Sequence, residues 1–230
     1  MAHRSFRTWL IAIALFGVAL DQVGKYVVFH WLHEPAHFDP VLHKGEYQVV
    51  PKAFRLYVQY TTDPADGVLR SWSADQMPHV NKGALFGLGN EGAGNQGKGF
   101  FGIHVRLDPD DANMFFAVVS IVAGLAIVGW TFRRRGTTDR LLCIALGLIL
   151  AGTLGNLYDR IVFGGVRDFL YFHLIEWPVF NLADCCLVIG AFVLLGQAFL
   201  THPTENPSAK STNEAGSNPV VAAPQIARVG

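Results

Sequence analysis

The chain has 230 residues, 51% of them hydrophobic and 16% charged, with no formal net charge. Balanced charge leaves no electrostatic footprint for a nucleic-acid partner, and three cysteines, with Cys185 and Cys186 adjacent, make neither a disulfide framework nor a spaced zinc site. The apolar residues are gathered into long runs, which points to a membrane, since a spanning helix needs about 20 mostly apolar residues.

The first run covers about residues 6–32, around "TWLIAIALFGVALDQVGKYVVFHWL". Its basic start also fits a cleaved signal peptide. No small-x-small cleavage site precedes Asp21 and three more apolar runs follow, so a retained anchor is expected. Asp21 and Lys25 stand four residues apart on one face, the acid N-terminal, which favours a mutually neutralising pair. Ionisable groups inside a span are costly and read as functional by default.

"HEPAH", His33 to His37, matches the letters of a zinc-protease helix. Two imidazoles one turn apart need unbroken helix between them, and Pro35 lacks the N–H and clashes with the preceding turn. The stretch is therefore expected to be a turn that opens an outer loop over residues 34–111. Within that loop "YQVV" and "FRLYVQY", separated by turn residues, predict a small extracytoplasmic sheet. "GLGNEGAGNQGKG", Gly87 to Gly99, imitates two phosphate-binding motifs. Gly99 stands where a P-loop needs Ser or Thr, and the strand-like "FFGIHV" follows where a helix is required, so a loop is expected.

Three further spans are predicted at about 112–132, 141–158 and 182–200. Arg4 and Arg7 precede the first span, and Arg133, Arg134, Arg135 and Arg140 crowd the junction of the second and third. The positive-inside rule puts both segments in the cytoplasm, so both termini lie inside and two loops outside. Residues 201–230, rich in Pro, Ser, Asn and Ala, read as a disordered cytoplasmic tail. The fold class is an all-α membrane protein of four transmembrane helices with a small extracytoplasmic β-rich segment.

In this topology Asp21, Asp159, Asp168 and Asp184 all fall near the outer membrane boundary. Two close carboxylates do not both ionise readily, so one keeps a proton near neutral pH. Such a pair activates water with one member and protonates a carbonyl or leaving amine with the other. Asp184, near a helix N-terminus, is the better candidate for the ionised member. A transporter would instead line a path through the bilayer with its charges, and a presenilin-like protease would show a G-x-G-D box.

"DQVGK" (Asp21 to Lys25), "NKGALFG" (Asn81 to Gly87), "GNLYDRIVFGGVRDF" (Gly155 to Phe169) and "FNLADCCLVIG" (Phe180 to Gly190) together resemble the bacterial lipoprotein signal peptidases, the signal peptidase II family. The resemblance implies an integral membrane aspartic endopeptidase of the bacterial inner membrane, active at the outer face, with residues 1–200 as one peptidase domain. It would remove signal peptides from prolipoproteins, cutting before the diacylglyceryl-modified cysteine, with membrane lipids as the other partner. It implies Asp168 and Asp184 as catalytic residues and no metal or other cofactor; a monomer is expected, though the sequence itself does not fix the oligomeric state. Asp21, Lys25, Asn81, Gly152, Asn156, Asp159, Arg160 and Asn181 match supporting or substrate-holding positions, Gly152 as a small residue where helix and substrate approach. Simpler roles also fit: Asn181 as the N-cap of the fourth helix, Arg160 as partner of Asp159, and Asn156 as interhelical glue. Leu85 departs from the small residue usual before Phe86, and the stretch from Lys25 to Asn81 is longer than the family's.

Overall fold

The computed structural model describes residues 6–61, 77–83, 108–133 and 139–200. Four helices among them are long and apolar enough to cross a membrane: α1 (Arg7–Leu32), α2 (Pro109–Arg133), α3 (Arg140–Phe163) and α4 (Leu182–Leu200). At 1.5 Å per residue even α4, with 19 residues, is about 28 Å long, close to the ~30 Å apolar core of a bilayer. The glycine-rich stretch, "FFGIHV", Leu85 and the tail from residue 201 lie outside the described residues.

α3 is the central helix, packed against α1, α2 and α4. Small residues let it approach its neighbours, since lipid-embedded helices associate by close packing. A Cβ on Gly147 would fall 2.9 Å from the Leu10 carbonyl oxygen, and one on Gly17 2.6 Å from the Ala151 Cβ. Gly152 and Gly190 serve the same purpose toward α4, facing Leu187 and Ile149 at 2.6 and 2.8 Å.

Two helix boundaries differ from expectation. α3 does not stop at Tyr158 but runs to Phe163, where Gly164 takes the left-handed C-cap conformation at φ 73°. Asp159 and Arg160 look like the end of a span by polarity, yet Asp159 is wholly buried among partners, so the helix continues past it. α2 begins at Pro109 rather than near Ala112. Proline suits the first helical position, and Asp110 and Asp111 favour the positive end of the helix dipole.

The expected sheet is present and antiparallel. Its strands are β1 (Phe38–Asp39), β2 (Lys44–Val50), β3 (Phe54–Thr61), β4 (Met77–Pro78) and β5 (Leu170–Phe172), in the order β1-β2-β3-β4 with β5 also paired to β3. Phe54↔Phe172 and Leu56↔Leu170 set the β3–β5 register. The sheet is seated on the end of α1 through a core of Phe29, Leu32, Val58, Tyr60 and Phe169. The Tyr60 hydroxyl donates to the Phe29 carbonyl at 2.5 Å, tying β3 to that end. His33 is the C-cap of α1 and stacks near Phe38 and Tyr60, whereas His37 meets Trp31 and Tyr47. "HEPAH" is a turn whose two imidazoles enter different ring clusters.

Candidate active site

Asp184 sits in the first turn of α4, where its carboxylate and the preceding Asn181 hold each other. The Asp184 N–H donates to Asn181 Oδ1 at 3.0 Å, and the Asn181 N–H donates to Asp184 Oδ2 at 3.2 Å. This reciprocal capping box satisfies two amides that a helix start leaves free. The other oxygen, Asp184 Oδ1, accepts from Asn156 Nδ2 of α3 at 2.8 Å.

Asp168 comes from the loop between α3 and α4. Its Oδ1 accepts from Asn181 Nδ2 at 2.7 Å and its Oδ2 from Asn81 Nδ2 at 3.0 Å. Asn81 is delivered by a β-bridge to Val166, with an N–H···O bond of 2.8 Å in each direction. Asn181 Nδ2 also reaches Asn156 Oδ1 at 3.2 Å. One asparagine thus bonds directly to both aspartates, and two more hold their outer oxygens.

Asn181 is fully buried and Asp184 only 8% exposed, while Asp168 keeps a partly open face. Burial, and then the charge of Asp184, push the Asp168 carboxyl up to about 7, against the pull of the Asn81 and Asn181 hydrogen bonds. Arg160 lies within electrostatic reach of Asp184 and Asp168. Its Nη1 donates to the Asn156 carbonyl and its Nη2 to the Gly83 carbonyl, both at 3.4 Å, and its guanidinium covers the Phe116 ring. The arrangement suits water activation by a carboxylate pair that retains one proton. Among the described residues no three His, Cys, Asp or Glu side chains converge as metal ligands.

The profile of the signal peptidase (SPase) II family matches residues 13–200. The chain belongs to that family. Its sequence is 36% identical over 202 residues to a lipoprotein signal peptidase of Pseudomonas syringae pv. tomato, covering 85% of this chain and 88% of the relative. It is 32% identical over 189 residues to one from Cupriavidus necator, covering 81% and 80%. A match to the Ralstonia nicotianae lipoprotein signal peptidase, at 49% identity, spans 35% of this chain and about half of that relative (47%). A solved bacterial membrane enzyme superposes with a TM-score of 0.56 at 22% identity, covering 95% of this chain and 99% of its own, which bears on the fold. The resemblance of the four sequence boxes is thereby confirmed, and the chain is a multi-pass membrane peptidase, a hydrolase.

Within this signal peptidase II site a second cluster lies behind the aspartate pair. Asp21, Lys25, Asp159 and Arg167 are each fully buried. Lys25 Nζ lies 2.8 Å from Asp21 Oδ2 and 3.1 Å from Asp159 Oδ2, and Arg167 Nη2 donates to Asp159 Oδ1 at 2.8 Å. Two acids and two bases cancel, which a buried charge cluster requires. The guanidinium of Arg167 also packs against the rings of Tyr26 and Phe163, at 4.5 and 4.0 Å from their centroids.

Asp159 is therefore partnered by Lys25 and Arg167 rather than by its neighbour Arg160, which successive helical positions point elsewhere. Gly152 faces α4, beside the Ala183 carbonyl and Leu187, so in this structure it is a helix–helix contact. Asn156 does bridge helices, but its bridge ends on Asp184. Gln22 and Arg167 joined the site without being singled out from sequence. The only signal was their place inside "DQVGK" and "VRDF".

Proposed function

We propose that this chain removes signal peptides from prolipoproteins at the outer face of the bacterial inner membrane, with Asp168 and Asp184 as its catalytic pair. The observation that carries the assignment is the bonding of Asn181 to both carboxylates. Asp184, at the N-terminus of α4 and receiving two N–H donors, is the ionised member. It takes a proton from water as that water attacks the scissile carbonyl. Asp168, protonated near neutral pH, donates its proton to the carbonyl oxygen, giving a gem-diol. Asp184 then passes the proton taken from water to the leaving amine while Asp168 recovers one from a gem-diol hydroxyl, which restores both aspartates. The result is one carboxylate product and one amine product, with no covalent enzyme intermediate.

Asn81 and Asn181 fix Asp168, Asn156 and Asn181 fix Asp184, and Arg160 supplies positive charge beside the developing oxyanion. The acyl chains of a diacylglyceryl-modified cysteine stay in the bilayer while the bond before it meets water. Both termini are cytoplasmic: Arg7 and Arg140 mark the helix ends remote from Asp168, and α4 returns the chain to that side.

The test is incubation of purified protein with a diacylglyceryl-modified prolipoprotein and with the same chain lacking the lipid, followed by sequencing of the product's N-terminus. A product beginning at the modified cysteine, from the lipidated chain only, is expected. Equal cleavage of both, or cleavage elsewhere, contradicts the substrate assignment.

A further inference from the structure

Each aspartate of the catalytic pair directly follows a residue whose backbone N–H is held by another, buried carboxylate. The Arg167 N–H donates to Asp159 Oδ2 at 2.9 Å, and Asp168 is next in the chain. The Ala183 N–H donates to Asp21 Oδ1 at 2.9 Å, and Asp184 is next. The two arms then meet on α1, which gives no side chain to the pair itself. Lys25 Nζ touches both carboxylates, at 2.8 and 3.1 Å. Gln22 repeats the tie: its Nε2 donates to Asp21 Oδ2 at 3.0 Å and Asp159 Oδ1 at 3.2 Å, while its Oε1 accepts from Arg167 Nη2 at 2.7 Å.

We infer that Lys25, seconded by Gln22, is a positioning residue that sets the separation of the two catalytic aspartates by clamping the carboxylates that hold the peptide before each of them. Consecutive Cα atoms are 3.8 Å apart, so displacement of either held amide passes almost undiminished to the catalytic residue beside it. An apolar side chain could fill the same space but has no direction; an ammonium with three donors ties two acceptors at fixed distance. The cage has no slack, since a Cβ on neighbouring Gly155 would lie 2.8 Å from Asp21 Oδ2. A longer, planar guanidinium at position 25 therefore forces the arms apart while keeping the charge.

This inference rests on the catalytic reading above, and its test separates the two. Lys25→Arg keeps the buried charge balance. The double variant Lys25→Met with Asp21→Asn removes one cation and one anion together, so it also buries no net charge. Both are compared with the unmodified full chain by hydrogen exchange of the segments holding the Arg167 and Ala183 amides, and by kcat and KM on lipidated prolipoprotein. Both amides are expected to exchange slowly in the unmodified enzyme and at least about tenfold faster in the variants. The expected kcat loss is about 10²-fold with KM within about twofold, the scale of a misplacement near 1 Å.

The pH dependence of kcat should also shift, since Asp21 and Lys25 from α1 and Asp159 and Arg160 from α3 surround the pair. Exchange that rises at neither or only one amide, or a kcat that falls only with the folded fraction, overturns the clamp. Fast exchange at either amide in the unmodified enzyme overturns it without any variant. Should Asp168→Asn and Asp184→Asn cleave normally while both amides loosen in the Lys25 variants, the catalytic reading fails and the clamp stands.

Discussion

Gly152→Ala inserts one methyl where α3 meets the first turn of α4. Its Cβ would lie 2.6 Å from Leu187 Cγ and closer still to the Ala183 carbonyl oxygen, whereas ordinary contact begins at 3.4 Å. The shortfall is about 0.8 Å at Leu187 Cγ and larger at the Ala183 carbonyl, which as backbone cannot swing aside. Ala183 directly precedes Asp184, so the shift acts on the catalytic pair. Overpacking of this kind costs about 1–3 kcal/mol, and a misplacement near 1 Å costs about 10²-fold in rate. Cleavage of a lipidated prolipoprotein by the purified variant, beside its thermal midpoint, reads both. Gly129→Ala is the control, as among the described residues no atom outside the helix's own backbone lies within 4 Å of that added methyl. A Gly152→Ala enzyme with wild-type kcat and midpoint would refute the reasoning that a backbone-limited contact positions Asp184.

The other expectations are separate. With Asp168 carrying its proton up to about 7, the rate falls about tenfold per pH unit above that point, and a flat profile through neutrality would contradict it. The same carboxyl starts from an unfolded value of 3.8, so the folded state binds more protons between those limits; stability is full below 3.8 and is lost as pH rises through about 7. Asp168→Asn should flatten that slope in thermal scans. Asn181→Ser keeps a helix cap but loses the reach to Asp168, so stability should stay within about 1 kcal/mol of wild type while kcat drops; equal activity would leave Asn181 as a cap alone. His33→Ala and His37→Ala, which remove ring contacts outside the pair, should cleave at the wild-type rate, and a chelator-sensitive reaction would revive a metal role for "HEPAH".

The parts of the fold legible in the sequence were those with strong local signals. α4 is bounded by a capping asparagine and a continuous apolar run, and its limits match expectation. β2 and β3 were visible as β-branched and aromatic runs between turns. The end of α3 was misjudged because Asp159 and Arg160 resemble a water boundary, although "FGG" held the glycine that caps the helix. Hydropathy cannot distinguish a charge leaving the membrane from a charge neutralised inside it. Gln22 and Arg167 were missed for a related reason: their bond joins residues 145 positions apart. No periodicity reports such a contact, and Arg167 is unusual only once its complete burial is known. Arg160, adjacent in sequence, was one candidate partner for Asp159, but consecutive helical residues diverge by about 100°.

In the proposed reaction Asp168 and Asp184 act as one unit. The most direct measurement is kcat of the purified full-length Asp168→Asn and Asp184→Asn enzymes on lipidated prolipoprotein, alone and combined, each shown to be folded by its thermal midpoint. Asparagine preserves shape but cannot take or give the proton, so each single variant should lose about 10³-fold or more, with the double variant no worse than the singles. Residual cleavage near the wild-type rate in either folded single variant would contradict the assignment.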